Sequence, residues 1–222
     1  MARSLKKLIA AVFCLVLLFE LSSCAVNTKS AEQTGFSMGS LVGIKLYGKN
    51  SEALENANLL AEVVKTDERI SKNYEGSDIY RVNSSGEHGE TVSSETYDEL
   101  RTVCDVYSDS HGKAAVLSGA LTELWGFDTD EFRLPSEDEI LSAKEKCGDD
   151  KLIFDDGKKV YIPDGAKLNL GSAGKGIALD EAVKRIDEIN SQGGKITGAV
   201  ISVGGSVATY GLPKKGKSWN VG

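Results

Sequence analysis

The sequence predicts an α+β fold, with mixed, antiparallel sheets packed by helices, and three observations point to it. Residues 41–47 alternate, with Val42, Ile44 and Leu46 set against Leu41, Gly43, Lys45 and Tyr47, the period of a half-buried strand. Ala53, Ala57, Leu60 and Val64 recur every three or four positions, the period of an amphipathic helix. Strand-like and helix-like segments then mix without the strict alternation of a parallel sheet.

The first element is a leader. Arg3, Lys6 and Lys7 precede an apolar run over 8–19, which ends in Leu21-Ser22-Ser23-Cys24. The run has signal-peptide length and is short for a permanent span. Small residues before a cysteine at this place resemble a bacterial lipobox. Residues 1–23 are therefore expected to be a cleaved lipoprotein signal peptide, with Cys24 as the lipidation site because its sulfur can accept the diacylglyceryl group. Residues 24–33, mostly polar, are expected to form a lipidated tether, and 34–222 one domain. This predicts an exported chain, lipid-anchored to the cell membrane on its extracytoplasmic side.

Loss of residues 1–23 removes Arg3, Lys6, Lys7 and Glu20, which moves the net charge from −7 to −9. That balance argues against nucleic acid as a partner, since phosphate backbones are bound by basic surfaces. Cys104 and Cys147 either pair, as export permits, or stay free thiols. With only His88 and His111 and no C-x-x-C pair, a Cys/His zinc site is not expected.

A strand is expected over 35–48. Ser51 is the expected N-cap of a helix running to about Ile70, and a second helix is expected over 95–110, with Leu100, Val103, Cys104 and Tyr107 on one side. Ser136 and Glu139 have capping-box form and should start a helix that ends before Gly148. Short strands are expected at 151–154, 159–162 and 166–170, with Asp155-Asp156-Gly157 turning the first into the second. A helix with Ile177, Ala178, Ala182, Val183 and Ile186 on its inner side follows the glycine-rich turn 171–176. A buried strand is expected at 199–203. Residues 218–222 read as the start of a further strand, which suggests an incomplete chain.

Three motifs remain. In Leu168-Asn169-Leu170-Gly171-Ser172-Ala173-Gly174-Lys175-Gly176, a glycine turn with a lysine opens a helix. Such a turn either cradles an anion with backbone N–H groups and the Lys175 charge or is only a tight connection. It is not a Walker A loop, because its glycines are too close together. Val203-Gly204-Gly205-Ser206 allows close backbone approach to a ligand, or a plain bend. Leu124-Trp125-Gly126-Phe127 is expected to pack in the core.

Taken together and in order, several segments resemble the ApbE family, the FAD:protein FMN transferases, over about 35–222. They are Ser37-Met38-Gly39-Ser40, Ile70-Ser71, Gly76-Ser77-Asp78-Ile79-Tyr80-Arg81-Val82-Asn83 and Ser118-Gly119-Ala120-Leu121-Thr122-Glu123-Leu124-Trp125-Gly126. Residues 170–180, Ile201-Ser202-Val203-Gly204-Gly205 and Lys217-Ser218-Trp219-Asn220-Val221-Gly222 complete the set. The resemblance implies a T-fold-related architecture, here lacking its C-terminal part. It implies transfer of FMN from FAD to a Thr or Ser of a target protein, with Mg2+, the targets being subunits of membrane redox complexes. It places Met38, Lys113, Ala114, Ala115, Asn169 and Lys175 at the flavin and the Ser172 carbonyl at magnesium, and names no catalytic residue. Where the family has Phe, Asp and Thr, this chain has Ala114, Ala115 and Leu117, and Asn169 stands for a carboxylate. Asn73, with Tyr74 beside it, falls where an aromatic flanks the adenine. Ser206 falls where Asn or Asp is usual. These departures support a second expectation, a flavin-binding lipoprotein with weak or no transfer activity.

Overall fold

Two antiparallel sheets organise the computed structural model, which describes residues 28–127, 129, 131–213 and 217–221. The expected signal peptide and Cys24 lie outside the described residues. The larger sheet contains β1 (Lys29–Ser37), β2 (Ser40–Gly48), β6 (Ile196–Val203) and β7 (Ser206–Gly211), in the order β1-β2-β6-β7. The smaller contains β3 (Glu90–Thr91), β4 (Ile153–Phe154) and β5 (Lys159–Tyr161), in the order β3-β5-β4. The helices are α1 (Ser51–Glu55), α2 (Leu59–Ile70), α3 (Asp78–Ser85), α4 (Ser94–Asp109), α5 (Gly119–Leu124), α6 (Glu137–Lys144) and α7 (Gly174–Ser191).

Period-two burial explains the large sheet. Val42, Ile44 and Leu46 of β2 are buried together with Ile196, Ala199, Ile201 and Val203 of β6. Leu54, Leu59, Val63, Ala178, Ala182 and Ile186 of the helices close over this face and make the first core. The second core joins Ile79, Val82, Leu100, Val116, Leu117, Val160, Ile162 and Leu168. Met38, in the β1–β2 turn, packs against both.

The structure corrects several boundaries. Residues 29–33 are not tether but the first half of β1, paired with β2 from Lys29↔Gly48 to Ser37↔Ser40. β1 hides from a hydropathy scan because it is an edge strand whose inward residues include Ala31, Gln33 and Gly35. The single helix expected over 51–70 is two. Asn50, not Ser51, caps α1, its side chain accepting from the N–H groups of Glu52 and Ala53. Asn58, at φ 48°, breaks the run before α2. That break resets the helical phase, so Leu59, Val63, Thr66 and Ile70 are the buried positions, while the expected Leu60 and Val64 are half-buried, Leu60 packing against the first core.

α4 and the capping box at Ser136 and Glu139 form as expected. So does the β4–β5 hairpin, where Asp155 Oδ1 accepts from the N–H groups of Gly157 and Lys159. Residues 166–170 are not a strand. The Asn83 side chain takes the place of a neighbouring strand there, donating to the Leu168 carbonyl at 2.9 Å and accepting from its N–H at 2.7 Å. Nor do residues 217–221 form a strand. Instead Trp219 donates to the Gly211 carbonyl at 2.8 Å and tilts against Tyr47, ring centroids 5.8 Å apart. Trp125 and Phe127 are not core residues. Their rings stack at 6.1 Å near the surface, and Phe127 is 61% exposed. Cys104 and Cys147 are free thiols, half-buried. Burial pushes the Cys104 thiol up to about 11 and raises that of Cys147.

Candidate functional site

Three turns meet at one end of the large sheet. The first joins β1 to β2 through Met38 and Gly39. The second, Gly204 and Gly205, joins β6 to β7, whose ends pair as Val203↔Ser206. Strand register brings them together, because Val42 pairs with Val203 and the Gly204 N–H reaches the Leu41 carbonyl at 2.9 Å. The third is the start of α7, which lies across the sheet.

Lys175 joins the turns. A Cβ added at Gly204 would lie 3.1 Å from Lys175 Nζ and 2.9 Å from Ser40 Oγ. Gly204 has φ +59°, the left-handed region that suits glycine. The ammonium group and the glycine backbone thus share one space.

α7 opens without a side-chain cap and carries no acidic residue in its first turn. Its leading N–H groups therefore keep their positive potential for an incoming anion. Gly174 lets this end approach α2 closely, since a Cβ there would be 3.3 Å from Ile70 Cδ1. Just upstream, Asn169 caps the 3₁₀ turn Leu170–Ser172, its Oδ1 accepting from the Gly171 N–H at 3.0 Å. Its amide nitrogen donates to Thr122 Oγ1 at 3.1 Å, so both ends of the side chain are engaged within the protein.

Met38 has φ 52°, and Asp67 holds it there. The Asp67 carboxylate accepts from the Met38 N–H at 2.6 Å and from the Ser37 hydroxyl at 2.9 Å. Asp149 clamps the loop that carries Ala115. It is 1% exposed, and its carboxylate accepts from the N–H groups of Val116 and Leu117 at 2.7–3.1 Å. Burial pushes that carboxyl above its ordinary range, against the pull of these two N–H groups. The loop then joins the Asn169 segment through two bonds, Asn169 N–H to the Val116 carbonyl and Gly119 N–H to the Lys167 carbonyl, both 2.8 Å.

The expected site residues therefore divide. Met38 and Lys175 converge at the turns, and Ala115 and Asn169 sit on adjoining segments. Lys113 and Ala114 lie on the exposed start of the Ala115 loop, their N–H groups donating to Ser110 Oγ. Tyr74, 54% exposed, stands in the α2–α3 loop with Asn73. Asp67, Asp149, Asn83 and Thr122 were not singled out from sequence as positioning residues. Asp67, Asp149 and Asn83 act across 29 to 85 positions, which leaves no local pattern to find.

Ser172 lies exposed in the 3₁₀ turn Leu170–Ser172. The turn 171–176 contains no carboxylate, and among the described residues no three His, Cys, Asp or Glu cluster to hold a metal. Magnesium sites ordinarily use one or two carboxylates. The donors gathered here do not by themselves fit that ion.

The sequence matches the model of the ApbE family over residues 38–222, a stretch that includes all three turns. The chain belongs to the ApbE family.

A Haemophilus influenzae protein named FAD:protein FMN transferase is 22% identical over 98% of this chain and 65% of its own length. A Klebsiella pneumoniae protein of the same name is 26% identical over 84% of this chain and 55% of its own. The chain thus spans about half to two thirds of these ApbE relatives. The crystal structure of the ApbE protein from Thermotoga maritima superposes with a TM-score of 0.72 at 26% identity, over 85% of this chain and 61% of that one. The apo flavinyl transferase ApbE from Pseudomonas stutzeri gives 0.71 at 23%, over 87% and 63%. The α+β architecture of antiparallel sheets is therefore the ApbE fold.

Proposed function

We propose that this chain forms the dinucleotide-gripping part of an FAD:protein FMN transferase. The observation that carries the reading is the approach of Lys175 to Gly204, beside the uncapped start of α7 and the Met38 turn. Backbone N–H groups and one ammonium at a glycine-lined end suit a diphosphate. Met38 offers a thioether next to that grip, a soft apolar surface for a flavin ring.

In the reaction, a Thr or Ser hydroxyl oxygen of the target bonds to the phosphorus of the FMN half. The bond from that phosphorus to the AMP oxygen breaks, AMP leaves with the electron pair, and the hydroxyl proton is released. Lys175 and the α7 N–H groups neutralise charge on the diphosphate as it builds. Magnesium, which the family resemblance implies, would find the Ser172 carbonyl as its one protein donor at this turn and would need its other ligands from outside the residues gathered here.

The reading extends to place and partner. The leader and Cys24 support export and a lipid anchor on the extracytoplasmic side, and subunits of membrane redox complexes are the proposed acceptors. Titration with FAD tests the grip. The full chain should bind FAD, and Lys175→Ala should weaken binding about tenfold or more, the loss of one charge-assisted contact of about 1.5–3 kcal/mol. Unchanged affinity in that variant would remove the reading.

One observation favours a second reading, flavin binding with weak or no transfer. Asn169 is engaged by Thr122 and the Gly171 N–H and carries no charge. Mass spectrometry of an acceptor peptide after incubation with FAD and magnesium separates the two. A covalent FMN adduct supports transfer, and tight FAD binding without one supports the second reading.

A further inference from the structure

The end of the large sheet away from the candidate site has a different chemistry. Lys29 opens β1 and pairs with Gly48. Lys49 follows β2, and its N–H donates to the carbonyl of Lys195, just before β6, at 3.1 Å. Trp219 is fixed at the same end through Gly211 and Tyr47, which carries Lys217 there. All four lysines are exposed. Lys29 reaches Ser51 Oγ, and among the described residues no ion pair takes up Lys49, Lys195 or Lys217. Leu212, 49% exposed, adds an apolar side chain next in sequence to Gly211, whose carbonyl Trp219 engages. Of the acidic groups nearby, Glu52 and Glu55 of α1, Asp187, which accepts from the Tyr210 hydroxyl, and Glu188, paired with Arg185, sit on the helix side of the sheet, while Glu32, on the open face of β1, is paired with Lys45.

A basic, aromatic end on a chain of net charge −7 runs against the overall balance. Lysines around a tryptophan suit the headgroup layer of an anionic bilayer, where ammonium groups meet phosphates and the indole sits at the interface. Chain length points the same way. Cys24 precedes Lys29 by five positions, and five extended residues reach no more than about 17 Å.

We propose that this end of the sheet docks on an anionic lipid surface. The proposal rests on the lipid anchor at Cys24 and adds an orientation to it. The docked sheet stands with its strands rising from the bilayer, and the three turns face outward at the far end. Nine residues of β2 separate the two ends by about 27 Å.

The test uses the full chain carrying Trp125→Phe, which leaves Trp219 as its only tryptophan. It is reconstituted in vesicles of phosphatidylcholine with phosphatidylglycerol, made with or without brominated acyl chains. Brominated lipid should quench Trp219. The K49E/K195E/K217E variant, and 0.5 M salt, should weaken quenching at least threefold, while the variant keeps its melting temperature and FAD affinity. Equal emission in plain and brominated vesicles, or equal quenching in the variant, overturns the proposal. The mass of the N-terminal peptide reports the anchor separately. For a chain without lipid, co-sedimentation with the same vesicles decides. Sedimentation lost in the variant supports docking, and no sedimentation overturns it.

Discussion

Asp149 shows how much one buried side chain contributes to the site. Its carboxylate is the acceptor for two buried N–H groups in the loop that carries Ala115. Asp149→Ala strands both, at about 1–3 kcal/mol for each, and urea denaturation should show the loss. Because burial raises this carboxyl, its contribution favours the fold at acid pH and is lost as pH rises through the raised value. Asp78 behaves oppositely. Burial pulls its carboxyl upward, but the Ser93 hydroxyl and N–H, Thr96 and Arg81 outweigh burial and hold it below the ordinary range. The stability it adds is therefore full above that range and lost as pH falls through the depressed value. Asp78→Asn should lower stability at neutral pH and flatten the acid limb of a stability–pH curve. An unchanged acid limb would reject the assignment. Asp149 could not be weighed from sequence, because it meets its partners more than 30 positions away.

Elements divide by how local their causes are. α4, the capping box and the β4–β5 hairpin were legible because cap, turn and period lie within a few residues. α2 was legible as a helix but not by face, since Asn58 shifted its phase by one position. Residues 166–170 misled because their extended backbone is paired by the Asn83 amide, 85 positions away. The glycine turns were legible as places of close approach, but what approaches them was not. The β6–β7 turn gives a direct check. Gly204→Ala puts a methyl group against Ser40 and Lys175 and strains a φ of +59°. FAD affinity should fall at least as far as stability, whose loss should be about 1–2 kcal/mol from the left-handed backbone. Stability lost with affinity intact would separate this turn from the ligand.

At the scale of the molecule, the α+β class was legible from periodicity, while the convergence of three turns required strand register. Two cores meet at the β1–β2 turn, where Met38 packs against both. Met1 apart, Met38 is the sole methionine of the sequence. A dilute peroxide pulse would thus have one thioether to convert, and a sulfoxide there sets a polar group at the junction of the cores. The oxidised chain should bind FAD more weakly and melt at a lower temperature. Both changes should grow with the oxygen gained by the Met38 peptide, and a sulfoxide reductase should reverse them. The chemistry of one sulfur would make flavin capture sensitive to the redox surroundings of the chain.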